Sequence, residues 1–75
     1  MALSNGVTFE WDDEVDAAYI SLVPEIASGA AVRQVVLDDV SDRGEIILDF
    51  DVDNNLLGIE LIGFEEMTGR NGESN

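Results

Sequence analysis

"GEIILDFDVDNNLLGIELI", residues 44–62, decides how this chain folds. On either side of Asn54 and Asn55 apolar and polar residues alternate, the period of a strand with one face buried. Two such runs joined by residues that tolerate positive φ predict a hairpin, with strands over 45–52 and 56–64. A turn centred between Asn54 and Asn55 pairs Asp53 with Leu56, Val52 with Leu57, Phe50 with Ile59, Asp49 with Glu60 and Leu48 with Leu61. Ile46, Leu48, Phe50, Val52, Leu57, Ile59 and Leu61 then form a core face. The opposite face gathers Asp49, Asp51 and Glu60, with Gly58 beside Asp51 and with Ile47 and Ile62 at its margin.

The same stretch also has the look of a calcium loop. Asp49, Asp51 and Asp53 alternate, Asn55 offers a carbonyl, and Glu60 closes a run of twelve residues. Such a loop needs a helix on each side and a glycine at its sharp bend, where Asn54 stands. The flanking alternation is that of strands, so a hairpin is the expected reading. A Ca2+ site built from Asp49, Asp51, Asp53 and Glu60 is the alternative, and otherwise no cofactor is expected.

With Asp49 set against Glu60, like charges stand about 5 Å apart and need compensation from solvent, a cation or an arginine. Arg33 is the expected arginine, since it projects to this face if Val32 and Val36 turn to the core. Asp49, Asp51, Glu60 and Arg33 are therefore the candidate residues of an acidic, partner-binding face.

Outward from the hairpin, "VTFEW" at 7–11, "AAYISLV" at 17–23 and "AAVRQVVLD" at 30–38 are strand-like, and Pro24 ends the second because it has no N–H for a ladder. Between the first two, "DDEVD" predicts a single helical turn capped by Asp12 or Asp13, with its acids favoured by the helix dipole. "DVSDRG" after the third is a turn, with Arg43 in solvent, and one more helical turn follows Phe64 before a Gly-, Asn- and Ser-rich end. The expected fold is mainly β, an antiparallel meander of about five strands, with an α+β fold ending in a short C-terminal helix as the alternative. The expected organisation is a single domain over 1–75, ordered from about 7 to 66, with 1–6 and 68–75 frayed.

Composition limits the chemistry. The 75 residues include 17 Asp and Glu against three Arg and Lys, a net charge of −14, with 45% hydrophobic and 27% charged residues. That balance folds. It carries too few cations to displace phosphate counterions, so neither nucleic acid nor an anionic membrane is an expected partner. Complementary charge favours a basic protein partner instead. No cysteine, histidine or lysine is present, which removes thiolate zinc sites, the usual general base and the Schiff-base amine together, and no enzymatic activity is expected. No apolar run reaches the roughly 20 residues of a membrane span and the first residues lack a signal-peptide pattern, so the expected location is the cytoplasm. A small sheet with apolar residues left on both faces predicts a homodimer. Trp11 and Tyr19 are expected to pack in the core or an interface.

Two segments share a pattern with a known family. "FEWDDEVDAAYISL" at 9–22 has an aromatic and Asp before an acidic turn and an Asp-Ala-x-Tyr-Ile-x-Leu strand. "GEIILDFDVDNNLLGIELIGFEE" at 44–66 has Ile-x-Leu-Asp-x-Asp, a turn, then Leu-x-Gly-Ile-Glu. Together they resemble the bacterial domain of unknown function 2283 family, over Phe9 to about Glu66. The resemblance implies a small β-rich bacterial protein with no accepted activity and transfers no catalytic residue. It departs at the turn, where the family usually has a nearby glycine and Asn54 and Asn55 stand here. Charge and size leave an interaction module, akin to small antitoxins or adaptors, as the expected function.

Overall fold

The computed structural model describes residues 5–37 and 42–70. Five strands alternate with turns: β1 (Thr8–Asp12), β2 (Ala17–Ser21), β3 (Arg33–Leu37), β4 (Glu45–Phe50) and β5 (Leu56–Ile62), followed by a one-turn helix, α1 (Phe64–Thr68). All neighbours are antiparallel. The mainly β fold with one short C-terminal helical turn is as the sequence predicts. The ends at 1–4 and 71–75, expected to fray, and the first half of the turn expected at 39–44 lie outside the described residues.

The strand order corrects the expected meander. It is β1-β2-β5-β4-β3, so β2 pairs with β5 and the chain reaches β3 at the far edge through residues 22–32. Strands β2 to β5 thus form a Greek key. Pro24 ends β2, and Gly6, at φ 81°, packs its backbone against the Pro24 ring. Val32, after the connection, donates its N–H to the Phe50 carbonyl at 2.9 Å and starts the β3–β4 pairing.

The expected helical turn at 12–16 is also corrected. Residues 13–16 are a hairpin turn in which the Asp12 carboxylate accepts the Glu14 N–H at 3.0 Å and Asp16 takes φ 54°. Short acidic side chains that bond to nearby backbone favour such turns over helix.

Period two splits the sheet into two unlike faces. Phe9, Trp11, Ala18, Ile20, Ile59, Leu61, Ile46, Leu48, Phe50, Val35 and Leu37 share one, as their cross-strand pairs show. Phe64 of α1 covers only a corner of it, with its ring centroid 5.5 Å from Phe9 and 5.2 Å from Trp11. Among the described residues, Ala18 and Leu57 alone are buried hydrophobics, and no large side chain is fully enclosed. The single layer is correspondingly extended: its radius of gyration is 13.3 Å, against about 11 Å for a compact chain of this length.

Candidate functional site

The second face is polar, and it forms in rows across the strands. One row is Thr8, Ser21, Gly58, Asp49, Gln34; the next is Glu10, Tyr19, Glu60, Ile47, Val36; the third is Asp12, Ala17, Ile62, Glu45. Strand β4 carries the one buried charged side chain among the described residues, Asp49, 6% exposed.

A carboxylate taken out of water must be hydrogen-bonded. Asp49 accepts the Tyr19 hydroxyl on Oδ2 at 2.9 Å and the Gln34 amide on Oδ1 at 2.9 Å. Tyr19 belongs to β2, two strands from β4, and it reaches Asp49 by lying diagonally over Gly58 of the intervening β5. A Cβ at Gly58 would run into the ring and hydroxyl of Tyr19. Burial, followed by the hydrogen bond and charge of Asp49 and then the charge of Glu60, pushes the Tyr19 pKa up from 10.0 to about 12.

The register corrects the sequence-based pairing. Asp49 stands opposite Gly58 and Glu60 opposite Ile47, so the two acids are not cross-strand partners. The faces are as predicted because a slip of two residues preserves side-chain direction. The slip follows from the turn. Asp51 leaves the ladder and holds a loop over 51–55: its Oδ1 accepts the N–H groups of Asp53 at 2.9 Å and Asn55 at 2.8 Å, and its Oδ2 accepts the Asn55 amide at 3.1 Å. Asn54 takes φ 67° at the bend. A bulge at Asp49/Phe50 then pairs Phe50 with Leu56, and Val52, expected in the core, is 82% exposed. These bonds hold the Asp51 carboxyl below its ordinary pKa, the backbone N–H of Asn55 contributing most.

Arg33 is corrected as well. It pairs with Phe50 on the apolar side, its guanidinium 4.3 Å from that ring's centroid, and donates to the Asn54 side chain. Gln34 occupies the place on the polar face expected of Arg33. Arg43 donates to the Glu66 carbonyl at 3.3 Å. Of the proposed calcium ligands, Asp49 is committed to Tyr19 and Gln34, and Asp51 to its own loop. Asp53 is exposed in that loop and Glu60 lies in the next row of the sheet. Among the described residues, no group of three or more acidic side chains is close enough to hold a metal ion.

Sequence reasoning missed Tyr19, Gln34 and Gly58 as one network. It also missed the role of Asp16, whose carboxylate accepts the Glu65 N–H at 3.0 Å on Oδ1 and the Trp11 indole N–H at 3.1 Å. Its carbonyl accepts the Gly63 N–H at 2.9 Å. The available signals were a glycine inside a strand and an aspartate just before one, both inside the two family-like segments.

The fold is thus a single antiparallel Greek-key sheet with one short helix, apolar on one side and on the other polar apart from Val36, Ile47 and Ile62. The chain belongs to the family described as "Protein of unknown function (DUF2283)", which it matches over residues 8–64. No curated protein and no solved structure matches it. Among the described residues, no helix is long and apolar enough to cross a membrane.

Proposed function

We propose that the protein is a non-enzymatic, acidic interaction module that acts as a homodimer in the cytoplasm and binds a basic protein partner. The observation that supports this most is the segregation of the sheet: Glu10, Asp12, Glu45 and Glu60 lie on the polar face, where no strand position holds an arginine. With a net charge of −14, such a face draws cationic surfaces and repels anionic ones. The side-chain inventory supports the non-enzymatic part, since histidine, cysteine and lysine are all lacking and the described surface has no enclosed pocket.

The test is affinity capture with the tagged chain from the host cell, followed by mass spectrometry and by binding measurements at rising salt. A basic protein whose affinity falls with ionic strength supports the proposal. Capture of nucleic acid, or of a partner indifferent to salt, overturns it. Calcium separates this reading from a cation-stabilised one: millimolar Ca2+ is expected to leave the melting temperature within about 1 °C, whereas a ligand specific to the folded state would raise it.

A further inference from the structure

We infer that the apolar face of the sheet, through Leu48, Ile59, Ile46 and Val35, is where a second copy of this chain docks, closing two single layers into a face-to-face sandwich. The inference rests on the homodimeric reading above and adds the surface.

Three observations lead to it. First, area: the chain exposes 5233 Å², where a compact monomer of 8.1 kDa exposes about 4,500 Å². The chain as a whole thus leaves roughly 700 Å² more open than a compact monomer does, and a stable interface takes ~800 Å² from each partner. Second, cover: on this face Val35, Leu37, Ile46, Leu48, Phe50, Ile59 and Leu61 are only half-buried, Leu57 alone of β3, β4 and β5 being buried there, and Phe64 packs over β1 at the far edge of the same face. Third, charge: the strand positions of this face hold no acid, and Arg33 and Arg70 lie over Phe50 and Trp11 at its rim. Two chains of charge −14 can therefore meet here without setting carboxylates against one another. A basic partner finds no anion on this side to pair with, whereas an identical apolar face is its own complement. Sheets packed this way sit about 10 Å apart with their side chains interdigitated.

The alternative of joining at edge strands predicts a different shape. The molecule measures 42 × 28 × 19 Å. Stacking face to face thickens the 19 Å dimension, whereas joining edges extends one of the longer ones.

The experiment combines light scattering after gel filtration with small-angle X-ray scattering on the unmodified chain. Two substitutions accompany it, Ile59→Lys on the apolar face and Val36→Lys on the polar face. The expected result is twice the monomer mass, a particle thickened along its shortest axis, a dimer retained by V36K and lost by I59K. If I59K does not fold, intermolecular methyl contacts to Leu48 and Ile59 in a mixed-label NMR sample of the unmodified chain serve in its place. An elongated dimer, a dimer lost in V36K, or absent methyl contacts overturns the assigned face while leaving self-association standing. A monomer at NMR concentrations overturns self-association itself.

Discussion

Tyr19 lies across Gly58 and donates its hydroxyl hydrogen to Asp49, joining β2 to β4 over the strand between them. Asp49 is the one charged side chain among the described residues that is buried. The bond therefore satisfies a group that would be costly to leave without a partner. Replacing Tyr19 with Phe keeps the ring over Gly58 and removes only the donor. Urea unfolding should show a loss of roughly 1–3 kcal/mol.

Tyr19 is the sole tyrosine, so absorbance near the phenolate band follows it alone. Its folded pKa, about 12, lies above the ordinary 10.0, so folding favours the protonated form. The stabilisation is fully present below pH 10 and disappears as the pH rises through 12. Thermal melts of the unmodified chain should show a steeper decline over that interval than melts of Tyr19→Phe. A phenol titrating near 10 in the folded protein would contradict the geometry.

At Gly58 the requirement is for space. Alanine there forces the Tyr19 ring off its seat, with an expected cost of about 1–3 kcal/mol for overpacking. The diagnostic is non-additivity. Combined with Tyr19→Ala, the alanine no longer meets the ring, and the double variant should lose less stability than the two single variants summed. Additive losses would mean that the two residues do not share a seat.

The Asp16 carboxylate couples the first hairpin to the C-terminal helix through the Glu65 N–H, and within that hairpin it also accepts the Trp11 indole N–H. Asp16→Ala removes the side-chain acceptor for both, and should lower stability by roughly 1–2 kcal/mol, as loss of a helix-capping side chain does. Trp11 is the only tryptophan, and its emission reports the change directly. Unaltered Trp11 emission would show that the indole bond contributes nothing.

The strands and their faces were legible in the sequence because alternation is local: Leu48 and Asp49 point opposite ways whatever their partners. Register was not, because it depends on where the turn closes, and the Asp51 side chain closes it earlier than a turn centred on Asn54 and Asn55 would. Arg33 was misplaced for a related reason. "AAVRQVVLD" has apolar residues at both parities, and only the pairing of Arg33 with Phe50 assigns the side. Strand order was out of reach, since nothing near Ala17 in sequence announces that it will meet Ile62. The Tyr19–Asp49 contact depends on that pairing, so it was hidden with it, although both residues stand in the two segments that resemble the family.

The Greek-key order also sets a timetable for folding. The β1–β2 hairpin and the β3–β4–β5 unit each assemble from neighbours along the chain, which is fast; the β2–β5 seam brings together distant segments and carries the greater entropic toll. Closure of that seam is therefore the slow event, and until it happens the Gly63, Glu65 and Asp49 bonds to Asp16 and Tyr19 are all absent. In stopped-flow refolding, Ile20→Val at the seam and Val35→Ala in the early-formed outer hairpin should both slow folding, whereas Asp16→Ala, which removes a bond to Glu65 made only once the seam is closed, should chiefly hasten unfolding.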